Sequence, residues 1–365
     1  MERAVRANLE TTGAGVKRAM RWIVVLVLFG CAAGVCAAQS TARETEAEAA
    51  ALREAAEWVR ATPPLKGNYE YFMTGRVRFV FFWVGRDDVG QGTIRRGPVP
   101  GDAQREMITL LIGSDPAKAP RRINRWGAAT EVVKRGSNGR VEASAFAGFM
   151  TQASGEATAA EIQQQMADEK AGRTFRYHAM ISMLGPEIGI AKRVPVALEK
   201  EMDIHQLESV KARVFSEFDS TPGRLRATEP RMRQRCPRLS GFLATVAELV
   251  DAAIERGQMR GSLCYLHYGE LYTLRLAGAR RVTEKKISLE MRDKSKFEHT
   301  YRNLLDLEFE ITNHQTGKKT DFSLLMGTEG ELRGAPVTIT YQPNWWFQVI
   351  LYLKPPAGAV GALRH

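Results

Sequence analysis

The clearest pattern in the chain is a two-residue alternation toward its C-terminal end. Leu307, Phe309 and Ile311 alternate with Glu308, Glu310 and Thr312, and His314-Gln-Thr-Gly317 joins this run to Phe322, Leu324 and Met326. Successive strand side chains point to opposite faces, so this is a strand with one apolar face, and its short connection makes the next strand antiparallel. The same reading predicts strands over 265–268, 271–276, 287–292, 337–341 and 345–353, which together form a meander. The last is apolar on both faces, which implies cover on both sides or a pocket wall.

A first β block starts near Tyr69, where Tyr, Phe, Val and Trp are dense up to Val84. Gly85-Arg-Asp-Asp-Val-Gly90 reads as its turn, with returning strands over 91–96 and 106–112. Residues 113–160 are rich in Gly, Ala, Ser and Pro and read as loops with short elements. Helical spacing occupies 43–60, 159–171 and 198–218. It is clearest from Phe242 to Ile254, with Ser240 as cap and Gly257 as stop. The predicted architecture is α+β: a curved, mainly antiparallel, half-barrel-like sheet packed on helices from the middle of the chain. The organisation expected is a signal peptide over 1–38, a helix and linker over 39–66, and one domain over 67–365 with a helical insertion at about 158–258.

The N-terminus changes the setting. Basic residues precede the apolar run Trp22–Phe29, small residues follow to Ala38, and polar Gln39-Ser-Thr comes next, the order of a secretory signal. Met20 is the expected true start. Cleavage near Ala37 or Ala38 is the favoured reading; lipidation at Cys31, in Leu28-Phe-Gly-Cys31, and a retained anchor are the alternatives. Losing residues 1–38 removes five Lys or Arg and two Asp or Glu, leaving a net charge of +8 instead of +11. In an exported chain that charge points away from nucleic acid and toward anionic lipid headgroups, acidic polymers or plain solubility.

Two cysteines remain, Cys236 and Cys264. In an oxidising compartment they are a disulfide candidate if the helix between them folds back, although spacing alone does not bring Cα atoms within the ~7 Å limit. No Gly-x-Ser-x-Gly elbow, phosphate-binding loop, dinucleotide fingerprint or His-Glu-x-x-His occurs, so no catalytic residue, metal or cofactor is assigned and the reading leans away from an enzyme. Asp87, Asp88 and Asp115 are carboxylates open to a cation or a plain turn, and His267 and Glu270 flank a tight turn. Lys118, Arg121, Arg122 and Arg125 cluster beside Trp126, a guanidinium-rich group suited to an anionic head. Trp345, Trp346, Phe347 and Tyr352 are aromatic candidates for a cavity wall.

Phe309 to Met326, Ala335-Pro-Val-Thr-Ile-Thr-Tyr341 and the closing strand to Leu353 resemble the end of uncharacterised bacterial periplasmic proteins related to lipoprotein-carrier incomplete barrels. The resemblance implies a curved sheet able to hold acyl chains and brings no catalytic residues. The resulting expectation is an exported envelope protein that binds a lipid-like ligand. Trp345, Trp346, Tyr341, Phe322 and Leu324 would line the site and Arg121, Arg122 and Arg125 would meet the head. A hydrolase of an envelope polymer and a non-catalytic interaction scaffold are the alternatives.

Overall fold

Among the described residues, alternating strands with few breakers assemble into one antiparallel sheet of fourteen strands. The computed structural model describes residues 45–63, 68–79, 82–151, 175–198, 201–207, 218, 223–344 and 347–355. The predicted signal region, the predicted helix over 159–171, Trp345 and Trp346 lie outside them. The first half of the sheet runs β1 (Tyr69–Phe79), β2 (Phe82–Val99), β3 (Asp102–Ser114), β4 (Trp126–Arg135), β5 (Val141–Met150), β6 (Phe175–Leu184), β7 (Gly189–Leu198) and β8 (Arg224–Ala227). The second half runs β9 (Gly261–His267), β10 (Glu270–Glu290), β11 (Lys296–Asn313), β12 (Lys319–Gly327), β13 (Pro336–Asn344) and β14 (Phe347–Leu353).

Each strand pairs with its sequence neighbours except at two points: β8 and β9 do not pair, and β1 pairs with β14, from Tyr71 opposite Leu353 to Val77 opposite Phe347. The first and last strands therefore meet in the middle of the sheet, and β8 and β9 are its edges. The sheet is curved, and its edges approach one another: Arg226 of β8 donates to Glu270 at 2.6 Å, and Arg193 of β7 lies 4.3 Å from the Tyr268 ring centroid. Side chains bridge this seam, so the barrel is incomplete.

Helix α1 (Glu46–Arg60) begins with a Thr45–Glu48 capping box. Its Ala51, Leu52, Ala55, Ala56 and Val59 share a core with Ala128, Ala145, Ala147 and Ala179 of β4, β5 and β6. Small residues on both partners let helix and sheet approach closely. That explains β4 and β5, which correct the loop reading of 113–160: their Ala and Gly content reflects cover by the helix on one face and burial of Ala129, Val133, Phe146 and Met150 on the other. The middle of the chain also departs from a helical insertion. Residues 175–184 and 189–198 are strands, and of the span 198–218 the described part holds only a 3-10 turn, Ile204–Gln206. Alternate apolar residues on two covered faces had obscured the strand period.

Short helix α2 (Pro230–Arg235) precedes α3 (Phe242–Arg256). Helix α3 touches both halves of the sheet, through Leu243, Ala244 and Ala247 on one side and Leu249, Val250 and Ala253 on the other. It ends at Gly257 in the left-handed conformation (φ 65°), as the sequence predicts. The N-cap is Gly241 rather than Ser240, and the capping oxygen comes from β4: buried Glu131 accepts from Gly241 N at 2.7 Å and Ala244 N at 3.2 Å, and from Ser144 Oγ at 2.9 Å. A disulfide joins Cys236, just after α2, to Cys264 of β9, with Cα atoms 5.6 Å apart.

The segment Gly85–Gly90 is not a hairpin turn. It lies inside β2, where a register shift sets Gly90 opposite Met73 and Arg86 opposite Gly75, and the hairpin turns at the Phe79–Phe82 pair instead. Gly90 sits where a Cβ would fall 2.1 Å from the Gly113 carbonyl, so glycine is required by the neighbouring strand rather than by a turn.

Candidate functional site: an apolar cavity beneath helix α3

The inward apolar faces of both halves do not fill the space beside α3. A cavity of about 200 Å³ remains, walled by Ile94 of β2, Ile108 and Ile112 of β3, and Val349 and Leu351 of β14, with Val246 and Val250 of the helix projecting into it. Phe322, Leu324 and Tyr341 also line it. Phe309 stacks on Phe322 at 4.8 Å, and Phe242 meets Phe322 at 6.0 Å, so aromatic contacts hold this wall in place.

Two nitrogen-bearing groups stand on the cavity. His267 lines it, edge-on to Phe146 at 5.4 Å. Desolvation, helped by the Arg193 charge, pulls the His267 imidazole down to a pKa of about 4, so it is neutral at physiological pH. Arg96 marks the polar end: its guanidinium makes bonds of 2.7 and 2.6 Å to Asp251 of α3 and of 2.7 Å to Glu106 of β3. This pair ties the helix to the sheet. Arg96 is shared with an adjoining polar hollow of about 610 Å³ that also takes in Arg135, Arg140, Arg238 and Glu248.

The predicted head-binding arginines lie elsewhere. Arg122 borders a separate surface hollow with Arg86 and Arg292, and Arg125 is half-buried with Nη1 donating to the Asn124 carbonyl at 2.9 Å. Arg121 falls in the 3-10 turn Pro120–Arg122, and its side chain is outside the description. Trp126 is buried, stacked on Tyr177 at 5.4 Å with Nε1 donating to the Met202 carbonyl. Phe347 and Tyr352 do not line the cavity; they pack in a core cluster with Tyr71 and Tyr301.

Glu270, Asp87 and Asp88, the carboxylates singled out in the sequence, are engaged in holding the fold. Glu270 accepts from Arg226 at 2.6 Å, Tyr272 at 2.8 Å and Asn313 at 2.8 Å. Asp87 accepts from Thr74 Oγ1 and Glu290 N, and Asp88 from Lys118 Nζ, which fastens the β2 bulge to its surroundings. None of the three lines the cavity. Among the described residues no group of three His, Cys, Asp or Glu is placed to hold a metal ion.

Sequence reading named Phe322, Leu324 and Tyr341 but not the opposite wall. Ile108, Leu110 and Ile112 alternate visibly, yet nothing local says that this face meets β12 and β13 across a helix. No protein-family model and no curated protein sequence matches the chain. Among solved structures, a β-barrel-like protein of the domain of unknown function DUF1849 from Brucella abortus aligns with 78% of this chain and 95% of its own at 8% identity, with a TM-score of 0.36. So distant a likeness carries no argument about function.

Proposed function

We propose that this chain is an exported envelope protein that binds a hydrophobic or amphiphilic, lipid-like ligand between its curved sheet and helix α3. The observation that carries the reading is the apolar cavity of about 200 Å³, walled by Phe322, Leu324 and Tyr341 and bordered by a polar hollow at Arg96. Ligand sites are typically ~300–1,000 Å³, whereas a dry ~150 Å³ cavity holds a benzene-sized group. The size therefore suits one acyl segment or a ring, with a polar head in the hollow beside Arg96, Arg140 and Arg238. A neutral His267 adds a hydrogen-bonding group without a charge to desolvate.

The test is binding of a dansyl-labelled fatty acid, together with native mass spectrometry of the chain purified from a bacterial envelope. Val246→Trp fills the cavity from the helix side and is expected to weaken probe binding at least tenfold with little change in melting temperature. No probe binding and no lipid adduct in the parent chain would overturn the reading.

A further inference from the structure

The β1–β2 hairpin carries an unusual surface. Phe82, Trp83 and Val84, directly after its turn, are 58%, 37% and 56% exposed, and they are the exposed large hydrophobic side chains among the described residues. Contiguous exposed apolar residues beside a hairpin turn mark a surface that is covered in use. A second observation says by what. Arg78, paired with Trp83, is exposed on the β1 arm, and Arg86 sits three residues below Trp83 on the β2 arm. Arg86, Arg122 and Arg292 border a hollow of about 560 Å³ whose remaining wall is proline and alanine, with no carboxylate.

We propose that this hairpin docks the protein on an anionic phospholipid bilayer. Phe82, Trp83 and Val84 enter the boundary between headgroups and acyl chains, and Arg86, Arg122 and Arg292 meet lipid phosphates. The inference is independent of the cavity reading. At ~3.3 Å per strand residue, Arg86 lies roughly 10 Å behind Trp83. Interfacial segments bury their apolar face ~5–10 Å deep, so the arginines reach phosphate level when the tip is seated. Tryptophan favours that interface, and guanidinium groups bind phosphate oxygens two at a time. A bilayer has its anionic layer outside its apolar one, the same order as this hairpin read from stem to tip. A second copy of the chain would instead bring one cationic collar against another.

The experiment uses the full-length chain with vesicles of phosphatidylglycerol and phosphatidylcholine, or of phosphatidylcholine alone. Sedimentation and quenching of tryptophan fluorescence by brominated acyl chains are read together. Binding to the anionic vesicles is expected, with at least tenfold weakening in the Phe82→Ser, Trp83→Ser double variant. Arg86→Ala should cost about fivefold, in line with the attraction of one arginine near an anionic surface, and should flatten the salt dependence. Trp83→Phe should remove part of the bromolipid quenching, a readout of the tip itself even if residues 22–29 also touch the bilayer. These positions are exposed, so thermal unfolding of the variants should match the parent. Quenching identical in parent and Trp83→Phe, or equal binding to both vesicle types, would overturn the proposal. So would vesicle-free self-association that the double variant abolishes, which would make the tip a contact between copies.

Discussion

Glu131 is a carboxylate with no exposed surface, and it spends its oxygens on the backbone of another element. Burial raises its pKa, opposed by donors from Ala244, Gly241, Ser144 and Leu243. Glu131→Ala would orphan two buried N–H groups, each costing ~1–3 kcal/mol, so a loss of about 3 kcal/mol in urea unfolding is expected. Glu131→Gln keeps an acceptor and should lose at most about 1 kcal/mol; equal losses would mean that the charge, not the cap, matters. His267 has the opposite sign. Its folded pKa of about 4 lies below its ordinary 6.5, so its contribution is complete above pH 6.5 and is lost as pH falls through 4, by up to ~3 kcal/mol. Glu131, with a raised pKa, gains on acidification and partly offsets this. The urea midpoint of the parent should therefore fall more steeply between pH 7 and 4 than that of His267→Phe. In the sequence, His267 stood out only as a turn-flanking imidazole. Nothing near Glu131 in the sequence marks it as a cap, since its partner Gly241 lies 110 residues away.

At the scale of elements, what alternates against water was legible and what is covered twice was not. Strands β11 and β12 keep polar outer faces, including the Lys319–Glu310 pair at 3.2 Å, and their period was plain. Strands β4 to β7 bury one face under α1 and the other toward the interior, so Ala128, Ala145 and Ala179 erase the polar half of the pattern. The β1–β2 turn was misplaced because an apolar tip carries no turn chemistry, while the glycines that do are spent in the bulge. Helix α3 was recognised from its spacing and from Gly257. The Cys236–Cys264 disulfide holds α3 in a loop spanning 28 residues. In the chain-entropy model closing such a loop contributes ~3–4 kcal/mol. Replacing both cysteines by serine should lower unfolding free energy by about that much, and by more if α3 also loosens from the sheet.

For the whole molecule, the cavity depends on both halves of the sheet, because β2 and β3 supply one wall and β12 and β13 the other. No short stretch of sequence contains that site. The halves meet where Tyr71 pairs with Leu353, at the β1–β14 junction. On the ribosome, β1 is among the first strands made and its central partner is the last. Until residue 353 has been synthesised, β1 offers an unpaired edge, the kind that recruits other chains. Pairs so distant in sequence also slow folding. A chain that crosses a membrane unfolded and N-terminus first would meet the same problem again on the far side, with β1 waiting unpaired until residue 353 follows.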